Sequence, residues 1–159
     1  MRFQPLSVVT LAIVLSCVAQ AQQVQPGLHW QGSSGTQAGS LCGGFTCTPP
    51  AIPVTVGEVV TISIRGTFNT AWALGMASTA TQCTAVPGVG NFLILNDPTI
   101  VMSGVLTQGD PVLSCPGGVA NITFVFPLLP AWTPLAIQAV GTLPNGSLAL
   151  TSAITIWVL

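Results

Sequence analysis

A chain of 159 residues is the size of one domain, and 3% of it is charged, against about 25% in an ordinary globular domain. Lysine is absent and Arg65 is the one arginine outside the first few residues, so no nucleic-acid-binding surface can be assembled. Hydrophobic residues make up 50% of the chain, the reverse of a disordered composition, and the protein is expected to fold.

Residues 1–21 read as a signal peptide: Arg2, an apolar run from Leu6 to Val18, and the small-x-small site Ala19-Gln20-Ala21. Val14-Leu15-Ser16-Cys17 loosely resembles a lipoprotein signal, which would lipidate Cys17, but the site just downstream favours cleavage after Ala21. On either route the chain is exported, to the periplasm, the cell surface or the medium. No transmembrane segment is expected in the mature chain.

Residues 22–47 are rich in Gln, Gly and Ser and read as a loosely held amino-terminal arm, with room for a short strand over Leu28 to Gln31. The arm carries His29 and Trp30. Four cysteines follow the signal, Cys42, Cys47, Cys83 and Cys115, an even count that reads as two disulfides with three connectivities open. The short glycine-bearing loop from Cys42 to Cys47 can close on itself, which would leave Cys83 for Cys115. A structural zinc is the rival reading, disfavoured by the oxidising address.

Residues 48–159 read as the folded domain. Thr48-Pro49-Pro50 and Pro53 make a stiff lead-in. Val60, Ile62 and Ile64 alternate with Thr61, Ser63 and Arg65; after a turn at Phe68-Asn69, Trp72, Leu74 and Met76 resume the rhythm, so Val54 to Met76 is expected to be a hairpin. Ser78 to Gly90 reads as turn, Asn91 to Leu95 as a strand buried on both sides, and Thr99 to Leu106 as a strand with Ile100, Met102 and Val105 inward. Val119 to Phe126 alternates again. Leu135 to Ala139, the turn Pro144-Asn145-Gly146 and Leu148 to Leu159 form a second expected hairpin, with a bulge at Thr151-Ser152. Short strands punctuated by Gly and Pro, with no helical period, predict an all-β fold: a single antiparallel β-sandwich of immunoglobulin-like or jelly-roll type.

Chemistry has few carriers. His29 is the sole histidine, with nothing near it in sequence to orient it as a base, and it reads as a solvated side chain. Asp97 and Asp110 each precede a proline and read as turn residues rather than calcium ligands. Glu58 and Arg65 are candidates for pairing across the start of the sheet. Neither a catalytic set nor a metal or cofactor site is expected. Of four tryptophans, Trp72 and Trp157 lie in alternating runs and read as core or half-core, whereas Trp30 in the arm and Trp132 in a proline-rich bend are placed where they could stack on a sugar face. Asn121-Ile122-Thr123 and Asn145-Gly146-Ser147 match the glycosylation acceptor pattern.

Gly57 before Val60 to Ile64, then Leu74-Gly75, Phe126-Pro127, Leu135 to Ala139 with Gln138-Ala139, and Leu150 to Ile154 with Ser152-Ala153 form a series of short motifs. Through them Pro50 to Ile156 resembles a β-sandwich domain of exported proteins in planctomycetes and neighbouring bacteria, often appended to larger secreted chains. The usual glycine before the Gln-Ala strand is replaced around Trp132-Thr133, and no asparagine separates Ser152 from Ala153. The resemblance implies an extracellular accessory domain with no catalytic residues to carry over. The expected function is therefore non-enzymatic: contacts with an envelope or matrix partner, or with other copies of the chain, through weakly charged faces. A carbohydrate- or other ligand-binding module using Trp30 and Trp132 is the alternative.

Overall fold

Alternation of apolar and polar residues marks which side chains are shielded, and in the computed structural model, which describes residues 25–109 and 117–159, nearly every such run is a strand. The expected signal peptide, Asp110 and Cys115 lie outside the described residues. In chain order the strands are β1 (Gly27–Gly32), β2 (Gln37–Ser40), β3 (Ala51–Val54), β4 (Val59–Gly66), β5 (Ala71–Ala77), β6 (Ala80–Ala85) and β7 (Val89–Gly90). They continue with β8 (Phe92–Leu95), β9 (Thr99–Val105), β10 (Thr107–Gln108), β11 (Gly118–Val125), β12 (Pro134–Thr142), β13 (Leu148–Leu150) and β14 (Ile154–Val158).

The protein is an antiparallel β-sandwich. One sheet runs β10-β11-β4-β1-β2, and the other is built around β12, which pairs with β5 on one side and with β13 and β14 on the other. Two pairings in the second sheet are parallel, β3 with β14 and β7 with β13. The inner row of the first sheet sets Trp30 between Ala38 and Ile62, with Ile122 beyond, and Leu28 beside Ile64 and Ala120. Opposite stand Leu74 and Ala139, Ile137 and Ile154, and Ile156 with Ile52. These rows form the main core.

Several expectations are corrected. Residues 22–47 are not a loose arm throughout: β1 is a central strand, hydrogen-bonded to β4 and β2 on its two sides, and Trp30 is 1% exposed. Its Gln- and Gly-rich surroundings reflect the outward face of the strand, where His29 and Gln31 point away from the core. The Val54 to Met76 hairpin does not form. Both strands exist, but β4 joins the first sheet and β5 the second, and the chain crosses between them through Asn69, whose φ is 60°. Their apolar rows face each other across the core instead of lying side by side.

Ile100, Met102 and Val105 are not inward either, because β9 is the outer strand beside β5 and all seven of its residues are exposed. Ser78 to Gly90, read as turn, contains β6, which pairs with β8 as a small third layer over the outer face of the second sheet. Ile94 and Leu95, in β8 itself, are buried with Ala77, Ala136 and Ala153, while Phe92 is exposed. The second expected hairpin is present. Gly146, at φ 81°, closes the turn, and Asn145 Oδ1 accepts from the N–H and hydroxyl of Ser147. The bulge is present too, since β13 and β14 are one run along β12 interrupted at Thr151 to Ala153. There the Thr151 N–H donates to Ala139 C=O at 2.8 Å, and the Thr151 hydroxyl takes the place of its carbonyl in accepting the Ala139 N–H at 3.0 Å.

The cysteine pairing also differs from expectation. Cys47 is bonded to Cys83, with Cα atoms 5.5 Å apart, so neither the local Cys42–Cys47 loop nor a Cys83–Cys115 bridge forms. Cys42 is disulfide-bonded as well. The reason is docking of the intervening loop. Phe45 packs its ring against Phe92 at 5.8 Å, and Ser152 Oγ accepts from Thr46 N–H while donating to Gly44 C=O. That lays Cys47 beside β6, far from where its sequence neighbours alone would put it.

Candidate functional site

The two sheets close on each other at one side and stay apart at the other. At the closed side β2 contacts β3. At the other, β9 edges the second sheet, and β11 edges the first along most of its length, because β10 pairs only with Gly118 and Val119. Between these edges lies a cleft of about 460 Å³. Trp30, Ile62 and Ile137 make its floor, and half-buried Met76, Phe124 and Leu135 its walls. Exposed Val101 and Met102 stand at its mouth.

Every residue lining the cleft is apolar except Thr123, and Thr123 Oγ1 is hydrogen-bonded to Thr61 Oγ1 at 3.0 Å. None of Glu58, Arg65 and Asp97 lines it. The cleft can therefore offer a ligand dispersion and burial but almost no hydrogen bonding. In its floor Trp30 meets Phe124 and Phe126 edge-on, with ring centroids 6.3 and 6.1 Å away.

The two tryptophans singled out in the sequence are parted. Trp30 is no surface platform; it belongs to the core and reaches a ligand only as part of the cleft floor. Trp132 is 72% exposed, in the connection between β11 and β12, with φ at 65° and its N–H donated to Val158 C=O at 2.7 Å. Next to that hydrogen bond, partly exposed Trp157 sits in register with Pro53 and Pro134 on the outer face of the second sheet. Trp72 is core, as expected. No signal in the sequence distinguished Met76, Phe124 or Leu135 from ordinary core residues, since a cleft wall and a packed interior have the same alternation.

Titratable groups do structural work. Glu58 does not pair with Arg65, because Glu58 immediately precedes β4 and Arg65 stands near its far end, roughly 20 Å away along an extended strand. Its carboxylate instead accepts from the Ser34 N–H at 3.0 Å, the Ser34 hydroxyl and the Thr55 N–H at 3.3 Å. Burial alone would raise the Glu58 pKa, but these hydrogen bonds outweigh it and hold the carboxyl below its ordinary value. A Cβ at Gly32 would overlap Oε1, so a side chain there would displace the carboxylate from these donors. His29, partly buried on the outer face of β1, is pushed below its ordinary pKa by loss of solvent and is neutral at pH 7. Among the described residues no three His, Cys, Asp or Glu side chains gather as metal ligands, and no helix is long and apolar enough to cross a membrane.

No protein-family model matches the chain, and no curated protein does. Among solved structures, the chain is similar to a chitin binding domain from Burkholderia pseudomallei, at 15% identity and a TM-score of 0.39. The match covers 70% of this chain and 57% of that one, so the chain spans little more than half the length of that neighbour. A superposition at that score fixes neither topology nor ligand.

Proposed function

We propose that the protein is a non-enzymatic, exported binding module that works by apolar contact at the open side of its sandwich. The observation that carries this reading is the cleft between β9 and β11, walled by hydrocarbon and bordered by an exposed apolar strand. A cleft of this size falls in the range of small-molecule sites, about 300–1,000 Å³. The Cys47–Cys83 bridge supports an oxidising compartment and hence export. A neutral, environment-sensitive dye such as N-phenyl-1-naphthylamine tests it. Saturable fluorescence enhancement that does not change from low to high salt is expected, because no ionic group lines the site. Absence of saturable binding refutes the reading.

A second reading rests on Trp132 and Trp157, two exposed tryptophans brought near each other by the Trp132 N–H to Val158 C=O hydrogen bond, either of which could stack on a sugar ring. Titration with soluble polysaccharides, following tryptophan emission in the native chain and in Trp132→Ala, decides it. A shift in the native chain that the variant lacks supports glycan binding, and no shift across a broad panel removes it.

A further inference from the structure

We infer that the cleft takes the hydrocarbon tail of a single-chain amphiphile and leaves the head group in water at the β9–β11 mouth. This deepens the apolar-contact reading above and rests on it. The lining excludes most other ligands by what it lacks. Thr123 carries the one hydroxyl, already bonded to Thr61, and the other polar side-chain atom among the lining residues, the unpartnered Trp30 Nε1–H, is a single buried donor, so a polar group taken inside would lose its water for at most one hydrogen bond. A peptide seated between the sheets, out of reach of the free edges of β9 and β11, would bury an N–H and a C=O at every residue in that lining, and is disfavoured for the same reason. A sugar ring fares worse still.

The mouth says what the outer part of the ligand requires. It is bordered by Val101, Met102, Pro127 and Leu129, with no ionic side chain among the lining residues, so the charge of the head group is not read. Met76 and Met102 favour a flexible tail over a rigid ring system. Their unbranched thioethers re-pack around chains of differing length at little cost. Volume limits the tail: about 460 Å³ fills after a finite number of methylenes, and any further carbon stays in water.

Calorimetric titration of the full mature chain tests this with alkyl phosphocholines, fatty acids and alkyl trimethylammonium ions. Each is used below its critical micelle concentration, with phosphatidylcholine vesicles as a separate arm. Affinity is expected to rise about fourfold per added methylene and then level off, at the same chain length for all three head groups. Met102→Trp and Leu129→Trp, which narrow the mouth from exposed or half-exposed positions, should each weaken binding about tenfold without lowering the melting temperature. Phe68→Ser, on an exposed turn away from the cleft, should leave it unchanged.

A flat chain-length series, while the neutral dye still binds and is still displaced by Met102→Trp, overturns the amphiphile assignment and leaves the apolar-contact reading standing. Failure of the dye as well overturns both. Binding to vesicles but not to monomers, or a preference for one sign of head group, overturns the assignment in favour of a membrane surface or a charged ligand.

Discussion

Gln138 holds Ile94: its Oε1 accepts the Ile94 N–H at 3.0 Å, joining the outer face of β12 to β8 in the third layer. The same amide donates to Phe92 C=O at 2.9 Å and to Thr151 C=O at 2.8 Å, so a 2%-exposed side chain ties together β8, β12 and the interruption between β13 and β14. A buried amide is tolerated here because its polar atoms are matched. Gln138→Leu withdraws one acceptor and two donors from buried backbone, at about 1–3 kcal/mol for each group left behind. Urea unfolding should show a loss of at least about 3 kcal/mol; a loss under about 1 kcal/mol would mean that the layer is held by packing alone.

The Cys47–Cys83 bridge closes a loop of sequence separation 36, worth about 4 kcal/mol in the chain-entropy model. Cys47→Ser with Cys83→Ser should lower the melting temperature and speed hydrogen exchange in residues 43–48 and 80–85 before the main core. Uniform acceleration across β1, β4 and β12 would show that the third layer and the sandwich unfold as one unit.

Acid should weaken the fold in two steps. His29 has a depressed pKa in the folded state, so its contribution is present above 6.5 and lost as pH falls through the folded value. Glu58, also depressed, contributes above its ordinary 4.5 and loses that contribution as pH falls through its lower folded value. Thermal melts from pH 8 to pH 3 should therefore decline toward acid, and Glu58→Gln should flatten the lower step while costing stability at neutral pH. A lower step that survives Glu58→Gln assigns it to another carboxyl.

Strand β9 is seven residues of exposed edge with Ile100, Val101, Met102 and Val105 and no charge to block pairing. The chain should self-associate through it, independently of salt. Val105→Lys, outside the cleft lining, should shift sedimentation toward monomer with the melting temperature within a few degrees of the native chain. Unchanged association would place the contact elsewhere, with the exposed Leu128 and Trp132 the next residues to change.

Alternation alone located β4, β5, β11 and β12, and Asn145-Gly146 located the turn before β13. These are local signals, written in side-chain period and in the backbone freedom of glycine, and they sufficed for an all-β fold. The expectation of export came from the pattern of residues 1–21, and the expectation of a non-enzymatic role from the scarcity of charged and catalytic side-chain types; both remain the basis of the proposal.

Partnership was decided elsewhere. Val60 to Ile64 and Trp72 to Met76 carry the same pattern whether they pair or face each other, because strands recognise one another through backbone groups common to every residue. Trp30 looked exposed among Gln and Gly because half of a central strand points to solvent, and Cys47 met Cys83 because Phe45 docks against Phe92. The cleft was invisible for a related reason. Sequence specifies which residues avoid water, whereas the gap between two sheet edges depends on how far apart packing leaves them, and that distance exists only in three dimensions.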